Sequence, residues 1–164
     1  MPGERPFVAV CGPSVAGPEE LAWAEEVGRL VARAGAVLVC GGLGGVMEAA
    51  ARGCAAASGT SLGILPGPDR RAGNPHLSVA VATGMGEARN ALIVRTADVV
   101  IAISGEFGTL SEIALALKMG KPVVGLRTWE LSKEGAPADP IVRAGSPAEA
   151  VEAAVRLAGR STTA

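Results

Sequence analysis

The sequence predicts an α/β fold, a doubly wound and mainly parallel sheet with helices on both faces. Three observations predict it. Short apolar runs alternate with amphipathic segments along the whole 164-residue chain. The apolar runs are continuous and rich in Val, Ile and Leu, as in strands covered on both sides. Unusual turns containing glycine follow three of them, where a strand must give way to a helix.

The elements follow in order. Phe7–Cys11 is a first strand. Pro18 starts a helix with Glu19 and Glu20 in its first turn, and Gly35 ends it after about Ala34. Ala36–Cys40 is a second strand, and a helix covers Val46 to about Ala57, closed by Ser58 and Gly59. Ser61–Leu65 is a third strand, residues 66–75 form a Gly/Pro/Arg-rich loop, and Leu77–Ala82 is a weaker strand. Glu87–Ala97 reads as a helix and Asp98–Ile103 as a strand. After a further turn a helix runs to Met119, where Gly120-Lys-Pro122 ends it. Val123–Leu126 is another strand, followed by a polar loop from Arg127 to Asp139. Ser146-Pro-Ala-Glu149 opens the last helix with a capping box and Pro at the first helical position. Residues 160–164 read as a frayed tail. With no repeat, linker or low-complexity tract, 1–164 is expected to be a single Rossmann-like nucleotide-binding domain. Its crossovers should be right-handed, with ligands bound beyond the C-terminal strand ends at a switch point.

Composition narrows the function. Hydrophobic residues make up 49% of the chain and charged residues 19%, which is a globular balance. Fifteen basic against sixteen acidic residues leave a net charge of −1, without a basic footprint for nucleic acid. The 2% aromatic content, with no Tyr, also removes the stacking platforms of single-strand binders. Cys11, Cys40 and Cys54 lack metal-ligand spacing and only His76 could join them, so no metal site is expected. An odd cysteine count without a secretory signal points to a reduced, cytoplasmic protein. No apolar run reaches the ~18 residues of a membrane span.

Three turns could carry chemistry: Cys11-Gly-Pro-Ser14, Cys40-Gly-Gly-Leu-Gly-Gly45 and Ser104-Gly-Glu-Phe-Gly-Thr109. In a parallel sheet all three lie on one edge. A single tight turn needs glycine for its own sake. Three together indicate a ligand, with Gly12, Ser14, Gly41, Gly42, Gly44, Gly45, Gly105, Gly108 and Thr109 as candidate contacts. The third turn aims free amides and a positive helix end at one point, which suits a phosphate. The dinucleotide fingerprint is broken: from Gly42 it reaches Gly44, but its sixth position is Met47. The next strand ends Leu65-Pro66, with no acid for a ribose. No Gly-Lys-Ser/Thr occurs, so there is no P-loop, and no NAD, FAD or other cofactor is expected.

Two charged residues stand near these turns. Glu112 completes Thr109-Leu-Ser-Glu112, which fits a capping box with Thr109 as the cap; a functional carboxylate is the other reading, and both can hold together. Arg89 could fork onto a phosphate, fix a carboxylate, or be a solvated helix-face charge. Cys11 and Cys40 read as small buried residues, and Trp23 and Trp129 as packing residues.

Taken together, Cys-Gly-x-Ser, Gly-Gly-x-Gly-Gly-Val-Met, Glu-Ala-Arg-Asn and Gly-x-x-Gly-Thr-Leu-Ser-Glu resemble the LOG family, also labelled lysine decarboxylase-like. The similarity covers roughly residues 6–127 and is strongest to the branch containing the molybdenum cofactor carrier protein. Lysine decarboxylation itself is discounted, since Lys118, Lys121 and Lys133 have no cofactor-binding context. The resemblance implies a phosphoribohydrolase that cuts the N-glycosidic bond of a nucleoside 5′-monophosphate, with Arg89 and Glu112 as catalytic residues. It adds Met47 and Asn90 to the binding set, and implies a homodimer or dimer of dimers with the site near the subunit interface. Ser104 replaces the family's Pro, Glu106 its second Gly, Glu87 its His and Asn90 its Lys. The alternative is a non-catalytic carrier or sensor of molybdenum cofactor or another nucleotide. In both readings the partner is a small phosphorylated ligand, with neither nucleic acid nor membrane.

Overall fold

The computed structural model describes residues 4–136 and 138–160. β1 spans Phe7–Cys11, β2 Val37–Cys40, β3 Thr60–Leu65, β4 Val79–Ala82, β5 Val99–Ile103, β6 Val123–Leu126 and β7 Val142–Arg143. The helices are α1 (Pro18–Arg33), α2 (Val46–Ala56), α3 (Asn90–Thr96), α4 (Phe107–Lys118) and α5 (Pro147–Arg160). All seven strands pair in parallel, in the order β4-β3-β2-β1-β5-β6-β7. The chain winds outward from β1 to one edge, then returns to β5 and winds to the other. β1 and β5 therefore flank the switch point, where the connections diverge and leave a crevice at the C-terminal strand ends.

The doubly wound α/β fold read from the sequence is thus the observed one. Each central strand sends alternate side chains to opposite faces. Val8, Val10, Leu38, Ile101 and Ile103 join the core beneath α1, α2 and α5. Ala9, Cys11, Val39, Val100 and Ala102 join the core beneath α3 and α4. Every residue of β1 except Phe7, and every residue of β2, β5 and β6, is buried, which is why these strands show continuous apolar runs.

Several local expectations change. The segment expected as one helix from Glu87 divides into a 3-10 turn at Gly86–Arg89 and α3. The short strand β7 lies between the polar loop and the last helix, joined through Ala144 N–H to the Gly125 carbonyl at 3.0 Å, and has no apolar run to reveal it. The expected capping box of α5 forms in shifted form. Ser146 Oγ accepts from Glu149 N–H at 3.2 Å, but Glu149 Oε2 accepts from Gly145 N–H at 2.7 Å instead of from Ser146. Of the expected frayed tail, Arg160 ends α5 and residues 161–164 lie outside the described residues.

α1 and α2 cross in very close contact. A Cβ on Gly28 would lie 1.9 Å from the Ala50 carbonyl oxygen, and one on Gly53 equally near the Glu25 carbonyl oxygen. Backbone meets backbone there, so no rotamer change relieves a side chain. Gly28→Ala should therefore destabilise the protein by about 2 kcal/mol, since overpacking outweighs the ~1 kcal/mol helix-propensity gain. Urea denaturation checks this, and a variant as stable as wild type would contradict the close crossing.

Candidate functional site

The three glycine-containing turns meet at the C-terminal edge of the sheet and line a cleft of about 410 Å³. Its walls include Cys11 to Val15 after β1, Gly41, Leu43 and Met47 after β2, Pro66 after β3, and Glu106, Gly108 and Thr109 after β5. Glu87, Arg89, Asn90 and Glu112 complete it. Of the sequence-predicted residues, Gly12, Ser14, Gly41, Met47, Arg89, Asn90, Gly108, Thr109 and Glu112 therefore share one cavity.

Gly42, Gly44, Gly45 and Gly105 are not among its lining residues. Gly45, with φ of 62°, is where the second turn docks on the first: its Cβ would lie 2.3 Å from the Pro13 carbonyl oxygen, which accepts from Val46 N–H at 3.1 Å. Gly42 backs onto Leu65, and Gly44 stands opposite the Ser14 backbone. Gly105, with φ of 113°, leaves room for the Thr109 side chain, whose Cβ would be 2.4 Å from an added methyl.

That last contact corrects the capping-box reading of Thr109 and Glu112. α4 begins at Phe107 with Glu106 at the N-cap, so Thr109 is already inside its first turn. Ser104, Gly105 and Glu106 complete the reversal after β5, because Ser104 and Gly105 both adopt positive φ. Glu112 consequently lies in the second turn and faces the cleft. The amides of Phe107, Gly108 and Thr109 precede the first intrahelical bond, Leu110 N–H to Glu106 O at 3.0 Å. They form a positive, donor-rich helix end. The turn is braced from β6. Ser104 N–H donates to Leu126 O at 2.9 Å, Thr128 Oγ1 donates to Ser104 O at 2.5 Å, and Trp129 Nε1 donates to Glu106 O at 3.3 Å. Sequence reading missed these two supports, since neither stands in a motif.

Arg89 and Glu112 are the charged residues of the buried floor, only 9% and 8% exposed. Arg89 Nη1 donates to Asn90 Oδ1 and Nη2 to Gly41 O at 3.4 Å, while its buried Nε has no acceptor among the described residues. A Cβ on Gly41 would lie 2.7 Å from both Arg89 Nη2 and Met47 Sδ, so a side chain there would displace the guanidinium from its present place. Asn90 is in turn fixed to α4, its Nδ2 donating to Ser111 Oγ at 3.2 Å. Arg89 and Glu112 are not among the ion pairs of the described residues. Burial raises the Glu112 carboxyl from 4.5 to about 7, against the opposing pull of Arg89 and the hydrogen bond from Cys11. Burial also lowers Arg89, with Glu112 opposing. The Cys11 thiol, beside Glu112, is pushed well above its ordinary value by burial, then by the neighbouring carboxylate. It is therefore a neutral contact group, not a base.

Glu106 stands where the family's motif has its second Gly, and a carboxylate there repels a phosphate unless it points away or meets a cation. It lines the cleft and has no ion-pair partner among the described residues. Among those residues no group of three His, Cys, Asp or Glu could hold a metal ion, and no helix is long and apolar enough to cross a membrane.

Comparison with known proteins gives this cleft a family. The family model described as the SLOG cluster4 family matches residues 5–151. The chain belongs to the SLOG cluster4 family. A molybdenum cofactor binding protein from Rippkaea orientalis superposes with a TM-score of 0.86 at 38% identity, over 94% of this chain and 98% of that one. The molybdenum cofactor carrier protein of Chlamydomonas reinhardtii gives 0.83 at 33%, over 96% and 99%. An uncharacterised protein of Archaeoglobus fulgidus is 43% identical over 73% of this chain and 79% of its own length. The resemblance read from the sequence, on its carrier side, is thus shown. DNA processing protein A of Helicobacter pylori, at 20% identity and a TM-score of 0.68, shares the fold alone.

The buried carboxyl of this SLOG cluster4 protein makes stability depend on pH. A carboxyl raised in the folded state stabilises fully below 4.5, and that contribution is lost as pH rises through about 7. Glu112→Gln should therefore be more stable than wild type at pH 8, by up to about 3 kcal/mol, with the gap closing towards pH 4.5. Denaturant titrations at the two pH values check this, and equal stabilities at pH 8 would contradict the buried carboxyl.

Proposed function

We propose that this protein binds and carries a phosphorylated pterin of the molybdenum cofactor type without cleaving it. The observation that carries this reading is the full-length similarity to proteins described as binding or carrying that cofactor, at 33–38% identity. The cleft is chemically suited to such a ligand. Its volume of about 410 Å³ is that of a small-molecule site. The α4 amides offer a place for the phosphate. Arg89 lies on the floor as a cation with no ion-pair partner among the described residues, and would draw the anion in. Gly12, Ser14, Gly108 and Thr109 would surround the phosphate, with Met47 and Asn90 towards the other end. The ligand is cargo, so no step is required of the protein beyond holding, shielding and releasing it. A homodimer or dimer of dimers acting in the cytoplasm, without nucleic acid as partner, belongs to the same proposal. Met85 and Phe107, 49% and 75% exposed, would lie close to its interface.

One observation favours a second reading, hydrolysis of a nucleoside 5′-monophosphate. The Glu112 carboxyl titrates at about 7, a range suited to proton transfer. It could assist attack by water and stabilise positive charge developing on the ribose, while Arg89 holds the phosphate. Against turnover, the described cleft offers no histidine to protonate a departing base.

The two readings separate in one anaerobic experiment. The protein is mixed with molybdenum cofactor released from a molybdoenzyme and passed through gel filtration. Molybdenum and pterin should co-elute with wild type and be lost at least tenfold more from Arg89→Ala. Parallel incubation with purine monophosphates should return every nucleotide intact. Absence of co-elution, with free base released by wild type but not by Glu112→Ala, would replace the carrier by the hydrolase.

A further inference from the structure

The cleft crosses the strand ends from β3 to β5, and its two ends differ in chemistry. At the β5 end lie the amides of α4 with Gly108 and Thr109. At the β3 end Pro66, with Leu43 and Met47 from the neighbouring turn after β2, forms apolar walls. Glu87 follows these walls into the lining, on the 3-10 turn that precedes α3. Gly86 N–H donates to the Pro66 carbonyl at 2.9 Å, which sets Glu87 beside that wall, and Asn90 begins α3 directly after the turn. Both line the cleft. Glu87 has no ion-pair partner among the described residues.

An anion placed at the α4 end leaves the planar part of the ligand between the apolar walls at the β3 end. An ionised carboxylate there can only accept hydrogen bonds, and its two oxygens accept two parallel N–H groups well. A 2-amino-4-oxopyrimidine presents two such donors side by side, the ring N–H and the exocyclic amine. Pterins and guanine share that edge. Adenine instead presents a ring acceptor beside its amine, which a carboxylate repels. Glu106 cannot take this role, because it stands at the start of α4, at the phosphate end.

We propose that Glu87 is a specificity-determining residue that reads the 2-amino-4-oxopyrimidine edge of the ligand. The inference rests on the phosphorylated-ligand reading of the cleft and narrows it to one class of heterocycle.

Calorimetric titration of the full chain with GMP, AMP and 6-hydroxymethylpterin monophosphate tests it. Wild type should bind GMP and the pterin phosphate about tenfold or more tightly than AMP, as expected when an acceptor meets an unmatched edge. Glu87→Ala should erase that preference, weakening GMP and the pterin phosphate about tenfold or more without weakening AMP. Glu87→Gln, which keeps the shape and loses the charge, should also lower it. Glu87 is exposed, and an unchanged melting temperature would show that the variants fold. Equal wild-type affinity for GMP and AMP, or a preference surviving in Glu87→Ala, overturns the role of Glu87 and leaves the phosphate cleft standing. Failure of all three compounds to bind wild type overturns both.

Discussion

The structure depends most on the joint burial of Arg89 and Glu112 at the floor of the cleft. Desolvation outweighs their attraction, so the carboxyl rises to about 7 and stays partly neutral near physiological pH. The guanidinium is then only partly compensated. It is held by Asn90 Oδ1 and the Gly41 carbonyl, neither of which cancels its charge. A floor of this kind is electropositive although the chain as a whole carries −1. The bare Cα of Gly41, the link from Asn90 to Ser111 and the early start of α4 all maintain it.

The remainder of the site follows from where that charge lies. The first amides of α4 add partial positive charge at one end of the cleft, and the carboxylates Glu87 and Glu106 add negative charge at its rim. A ligand matched to all of these carries an anion and, away from it, a set of hydrogen-bond donors. The same distribution suits a carrier. In the proposed carrier, attraction at the floor would hold the cargo and the rim carboxylates would select it. The Cys11 thiol, kept protonated by burial and by Glu112, adds a contact without nucleophilic character.

Most of the fold is written in residue patterns that physics makes local. Val, Ile and Leu runs such as Val99–Ile103 mark strands covered on both sides, and Pro18 and Gly35 mark where α1 begins and ends. β7 was hidden because two residues cannot show a period, and its place depends on pairing with β6. The start of α4 was misplaced by three residues because Thr-Leu-Ser-Glu satisfies a capping pattern locally. The positive φ of Ser104 and Gly105, set by the reversal after β5, decides otherwise. Arg89 and Glu112 were legible from motifs, as was the sharing of one edge by the three turns. The absence of an ion pair between them was not, since it depends on the alternative partners Asn90 and Gly41 offer. The supports Thr128 and Trp129 and the apolar wall Pro66 were also missed. They follow strands β6 and β3, and strand-end position was their only signal.

The central claim is that an anion binds where the α4 amides and Arg89 converge. A ¹H–¹⁵N correlation titration with a pterin phosphate tests it most directly. The account predicts the largest amide shifts at Gly105, Phe107, Gly108 and Thr109, with smaller ones at Gly12 and Ser14. Shifts confined to the opposite edge of the sheet, with these amides unmoved, would contradict it.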